Sequence, residues 1–171
     1  MKKIFLTLFL SGIFCEFSFS QTVPKFVLTK YGIKPVVMTF DANYNAGKIY
    51  TKLKNWNASQ IKYPQSAIRI DKEDTQLKFA GYIEEGWKVR ANNFDHWYSV
   101  QYTLNVEIKD GKCRITIDTP EVNYKVWYAA DGSLLKKFID SKTTFETSIN
   151  KLLASLYTHI KDAPKKVEDN W

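Results

Sequence analysis

The sequence predicts an α+β fold in which an antiparallel sheet, ordered strand, helix, four strands and final helix, carries both helices on one face. Three features of the chain predict it. A long period-two alternation runs into Asp110-Gly111 and returns, two segments repeat apolar residues every three or four positions, and one side of the strands is polar throughout.

The chain opens with Met1-Lys2-Lys3, an apolar run from Ile4 to Phe14, and Ser18-Phe19-Ser20 before Gln21. A basic start, an apolar stretch short of the ~18 residues a bilayer needs, and small residues before a polar one make residues 1–20 a secretory signal peptide. The expectation is an exported protein, periplasmic or secreted, with residues 21–161 a single domain and 162–171 a polar tail. Cys15 does not suit lipidation, because bulky Phe14 precedes it, and Glu16 breaks the apolar run against an uncleaved anchor. Once Cys15 leaves with the leader, Cys113 has no partner within the chain, so packing rather than a disulfide framework must hold the domain. The formal net charge is +7, and the folded part stays basic after Lys2, Lys3 and Glu16 are removed. Such a charge serves solubility and favours loose association with anionic envelope surfaces.

Lys34 to Phe40, with Val36, Val37, Met38 and Phe40, supplies the first strand. Asn45-Ala46-Gly47 opens an amphipathic helix with Ile49, Leu53, Trp56 and Ile61 on its apolar side, ending near Tyr63-Pro64. Ser66 to Asp71 and Gln76 to Glu84 form an alternating pair around a polar turn from Lys72 to Thr75, with Ile68 and Ile70 on the side of Leu77, Phe79 and Ile83. Glu84-Glu85 before Gly86 reads as a solvated turn.

From Tyr98 to Ile108 the alternation is unbroken, and Cys113 to Thr119 is the return strand. Asp-Gly between alternating runs is the strongest short-range hairpin signal, through a type I′ turn with two positive φ angles. A two-residue turn at Asp110-Gly111 sets Ile108 opposite Cys113, Val106 opposite Ile115 and Leu104 opposite Ile117. Cys113 therefore faces the core. Ser99, Gln101, Thr103, Asn105, Glu107, Arg114, Thr116 and Asp118 take the other face, which stays wet.

Tyr124 to Phe138 contains Ala130-Asp131-Gly132-Ser133 and reads as a small hairpin or ordered excursion. The last helix gathers Phe145, Ile149, Leu152, Leu153, Leu156 and Ile160 on one side, with Thr143 and Glu146 spaced as a capping box and Pro164 beyond its end.

The order and the bare face match the fold named after the TATA-box-binding protein. Gly47-Lys48-Ile49-Tyr50 with Trp56, Ile68-Arg69-Ile70-Asp71, and Val106-Glu107-Ile108-Lys109-Asp110-Gly111-Lys112-Cys113-Arg114 carry a further likeness. Over about Val36 to Pro120 the chain resembles an exported bacterial family, domain of unknown function 4468, with a TBP-like fold. The resemblance implies fold and export and no activity. DNA binding does not come with the fold. Glu107 and Asp118 beside Arg114 are not the basic, wedge-bearing surface of a minor-groove binder, so nucleic acid is not an expected partner.

Candidate chemistry is sparse. His96 and His159 stand apart in the sequence without metal-ligand spacing, and Asp95-His96, as strand neighbours, point to opposite faces. Glu84-Glu85 fails as a carboxylate pair for the same reason. No phosphate loop, nucleophile elbow or helical metal motif is present, and neither metal nor cofactor is expected. The aromatic content of 15% is the feature above background. Trp87, Trp97, Tyr124, Trp127 and Tyr128 lie near strand ends or in the excursion, where they either bind a ligand or cap the open edge of the core. The functional expectation is a non-enzymatic binding or interaction module. Its partner would be an envelope protein, a glycan or a small apolar ligand. The alternative is an extracytoplasmic hydrolase using the His96 region, which requires a carboxylate converging on His96.

Overall fold

Residues 23–41, 43–60 and 67–161 are described by the computed structural model. The expected signal peptide (1–20), polar tail (162–171), Ile61, the first helix's end at Tyr63-Pro64, Ser66 and Pro164 lie outside them. The strands are β1 (Leu28–Thr29), β2 (Gly32–Ile33), β3 (Val36–Thr39), β4 (Ile68–Lys72), β5 (Gln76–Ala91), β6 (Phe94–Lys109) and β7 (Lys112–Asp118). The helices are α1 (Ala46–Gln60) and α2 (Ile139–Lys161), and 3-10 turns occupy Tyr124–Trp127 and Lys136–Phe138.

The hairpin of β6 and β7 fixes the rest. Ile108 pairs with Cys113, Val106 with Ile115 and Leu104 with Ile117, the register that the alternation and the Asp-Gly turn predict. All six side chains are buried. Only Gly111 takes a positive φ, so the turn is not the expected type I′. Asp110 serves α1 instead: its Oδ1 accepts from Ala46 N at 2.8 Å, while Asn45 Oδ1 caps Lys48 N at 2.8 Å.

β3 pairs with β7, and β5 joins the other side of β6, giving the antiparallel order β3-β7-β6-β5-β4. Both helices cover one face of it. Ile49, Leu53 and Trp56 of α1 and Phe145, Ile149, Leu153, Leu156 and Ile160 of α2 are buried there. Trp56 packs its ring 5.7 Å from Phe79 and donates its indole N–H to Ser155 Oγ at 3.1 Å, which joins the helices to each other and to the sheet. The opposite face is polar and cross-linked by Gln76 to Asn105 at 2.8 Å, Tyr82 to Ser99 at 2.6 Å and Arg114 to Glu107 at 2.6 Å.

In three further places the structure departs from expectation. β5 and β6 run on past Glu84 and back from Phe94, paired as far as Ala91 with Phe94. Asn92 and Asn93 make the turn with φ of 51° and 65°, a conformation asparagine tolerates better than most side chains. Glu84-Glu85 is therefore not a turn but lies within a strand. Second, α2 starts at Ile139, so Thr143 caps nothing: its hydroxyl donates to Ile139 O at 2.8 Å inside the helix. Glu146 accepts from Leu28 N at 2.7 Å and from Lys142 Nζ at 2.7 Å, tying β1 to the helix. Third, β1 and β2 form a short hairpin that no alternation announces. The 124–138 excursion does form a small hairpin, with Tyr128 bridged to Leu134 and Ala129 N donating to Ser133 O at 2.9 Å.

Candidate functional site

A long β5 creates the site. Register runs without fault to Ile83 opposite Val100 and resumes at Trp87 opposite Tyr98, so Glu84, Glu85 and Gly86 share Ser99 as their only counterpart. Two extra residues keep the parity of the strand and push its backbone outward. Glu85 sits at a φ of 49°, strained for a side chain of its size. Gly86 is buried against Val100 so closely that an added Cβ would lie 2.6 Å from Val100 Cγ2. Gly81 lies just as tightly under the Tyr102 ring, where an added Cβ would come within 2.2 Å. Gly81 before the bulge and Gly86 at its end let the backbone hug β6.

Beyond Phe79, β5 has no β4 beside it. α2 packs along this stretch, and Lys88 N donates to Thr144 Oγ1 at 3.1 Å. Between the bulge and the helix opens a cleft of about 720 Å³, within the range of ~300–1,000 Å³ usual for ligand sites. Tyr82, which bonds Ser99 on the bare face, and Trp97 line it at the open edge of β5, with Glu84 and Glu85 at the bulge and Thr147 and Lys151 on the helix side. Tyr82 and Trp97 are 56% and 48% exposed. The Tyr82 hydroxyl donates to Ser99, and Lys88 Nζ stands 5.9 Å from the centre of the Trp97 ring, so both rings are held. Tyr102 also borders the cleft, and burial pushes its phenol up to about 12, which keeps it neutral. Glu84 and Glu85 are exposed, and among the described residues their carboxylates have no hydrogen-bond or ion-pair partner.

Of the five aromatic residues expected at a site, only Trp97 lines the cleft. Trp127 is 1% exposed and belongs to the core, in ring contact with Trp87, Phe138 and Phe145. Its burial removes it from any surface. Trp87 is half-buried and lies 5.2 Å from the Tyr98 ring. Tyr128 is half-buried and donates its hydroxyl to Leu28 O at 3.0 Å. Tyr124 is half-buried beside Gly32. These four close the core around the excursion and share no site with Trp97. The sequence reading missed Tyr82, Glu84, Glu85, Thr147 and Lys151. The available signal was the apolar beat Trp87, Val89, Ala91 resuming after Gly86, which marks a bulge rather than a strand end.

His96 is exposed on the β5–β6 arm opposite Val89. Among the described residues nothing hydrogen-bonds it to a carboxylate. Asp95 accepts instead from Lys88 Nζ at 3.0 Å, and this bond holds its carboxyl below the usual range. Cys113 is buried, and desolvation pushes its thiol up to about 12. Among the described residues no three His, Cys, Asp or Glu side chains gather in a metal-binding group, and no helix is long and apolar enough to cross a membrane.

No curated protein matches the chain. A similar solved structure is the crystal structure of a DUF4468 family protein from Bacteroides ovatus at 1.49 Å resolution, with 11% identity and a TM-score of 0.49, covering 75% of this chain and 83% of that one. A family model described as a domain of unknown function (DUF4468) with TBP-like fold matches residues 40–123, the span from the end of β3 through α1 and β4 to β7. Over that span the chain is similar to the DUF4468 family.

Proposed function

We propose that this protein is an exported, non-enzymatic binding module of the cell envelope whose ligand seat is the cleft between the β5 bulge and α2. The carrying observation is the cleft itself: two held but exposed aromatic rings and two carboxylates unpaired among the described residues converge on one ligand-sized space. A strained Glu85 in a regular sheet supports the same reading, because strain persists where the surrounding fold over-determines it, often at binding sites. Export rests on the basic, apolar and small-residue order of residues 1–20. The non-enzymatic reading rests on His96, which stands on an open arm without a carboxylate partner among the described residues.

A thermal-shift screen against glycans, lipids and peptides tests the seat. A ligand at about 100 times its Kd adds ~2.7 kcal/mol, which moves the Tm of a domain of this size by about 5–10 °C. The shift should vanish in Trp97→Ala. Ligands whose shift survives that change bind elsewhere and would refute the cleft as the seat.

A further inference from the structure

We infer that the cleft takes a neutral oligosaccharide. The inference rests on the cleft being the ligand seat, and it follows from what the lining rejects. An anionic ligand meets Glu84 and Glu85, neither of which is ion-paired among the described residues. A cationic ligand meets Lys151 in the same cleft and Lys88 beside Trp97, where a protein cation already sits 5.9 Å from the ring centre. A wholly apolar ligand would strip water from carboxylates and hydroxyls without replacing their hydrogen bonds.

A sugar chain meets none of these objections. The C–H face of a pyranose lies against an aromatic ring, and Trp97 and Tyr82 offer two. Its hydroxyls are donors in surplus, and the Glu84 and Glu85 carboxylates are acceptors without a partner among the described residues. On the helix wall the Ser148 hydroxyl can give and accept, while Thr147 Oγ1, which donates to Thr143 O at 2.8 Å, can accept. The Tyr102 phenol, neutral through burial, offers a further hydroxyl. The helix wall runs from Thr144 to Ser155, a span along which more than one sugar unit can lie.

Isothermal titration of the protein with the β-1,4-linked glucose hexamer, the β-1,4-linked N-acetylglucosamine hexamer and the α-1,4-linked glucose hexamer tests this. Saturable binding of at least one is expected. It should weaken roughly tenfold or more in Trp97→Ala, the order of one aromatic contact. A similar loss is expected in the Glu84→Gln/Glu85→Gln double variant, which keeps the shape and removes the charge. Thr116→Ala, on the bare sheet face, should bind as the parent does. Circular dichroism and Tm of each variant separate lost binding from lost folding. If all three hexamers fail to bind, the saccharide inference falls, while a peptide or lipid whose thermal shift depends on Trp97 leaves the seat standing. If a hexamer binds and neither cleft variant changes its affinity, the seat and the inference fall together.

Discussion

Gly86→Ala is the sharpest test of how the bulge is built. The new methyl would sit 2.6 Å from Val100 Cγ2 and 3.0 Å from Val100 Cβ, where ordinary contact begins at 3.4 Å. Val100 is fully buried, and β-branching leaves it little rotamer freedom, so the overlap must be relieved by moving backbone. Overpacking of this kind costs about 1–3 kcal/mol. In a domain of this size that lowers Tm by roughly 2–12 °C. Val100→Ala alone removes two buried methyls, a loss of about 1.6 kcal/mol before any cavity contribution. In the double variant the alanine methyl at position 86 fills part of the space vacated at Val100, so the combined loss should fall short of the sum by about 1 kcal/mol. Urea unfolding of the parent, both single variants and the double completes the cycle. A Gly86→Ala protein as stable as the parent, or losses that add to within about 0.5 kcal/mol, would refute the close approach of bulge and β6.

Other consequences are equally direct. Cys113 should resist a thiol reagent at pH 8 in the folded protein and react once the chain is unfolded in urea; rapid labelling of the native protein would contradict its burial. Cys113 and Tyr102 both hold their protons to about 12 when folded, against 9.0 and 10.0 in the unfolded chain. The folded state therefore binds more protons above pH 9, and stability should fall as pH rises from about 9 to 12, less steeply in Cys113→Ala; a flat profile in that window would contradict the sign. Asn150 accepts from Phe26 N at 2.8 Å and donates to Phe26 O at 3.2 Å, so Asn150→Ala should speed amide exchange around Phe26 and Leu28 and cost about 1–2 kcal/mol; unchanged exchange there would show that α2 does not hold the segment. Asp71, whose carboxyl is held below its usual range first by the Tyr50 hydroxyl and then by Lys54, sits at the surface. Asp71→Asn should cost less than about 1 kcal/mol, and only above the carboxylate's titration range, because acid removes the same charge; a larger loss at pH 2 than at pH 7 would overturn this.

The β6–β7 register was legible because two independent signals agree: strict alternation from Tyr98 to Ile108 and an Asp-Gly pair at the right place. The apolar stripes of α1 and α2 were legible for the same reason, a period shared by many residues. What escaped depends on non-local facts. Glu84-Glu85-Gly86 has the composition of a turn and becomes a bulge only because Trp87 finds Tyr98 and Asn92-Asn93 makes the reversal. The Thr143 to Glu146 spacing has the form of a cap, yet Glu146 is drawn off by Leu28, more than a hundred positions away. Trp127 looked like an edge residue because a 3-10 turn leaves no periodicity to show which way it points. The cleft escaped most completely. Its helix wall is the polar side of α2, and nothing about Thr147 or Lys151 distinguishes it from a solvated face until β5 is seen to pass beside it.

The most direct measurement is a titration of 15N-labelled protein followed by NMR, using a ligand that raises the Tm. A ligand seated in the cleft shifts the Trp97 indole N–H and the amides of Tyr82 to Glu85 and Thr147 to Lys151. Shifts confined to the outer face of β6 and β7, around Thr103, Asn105 and Thr116, with the Trp97 indole unmoved, would place recognition on the bare sheet and contradict it.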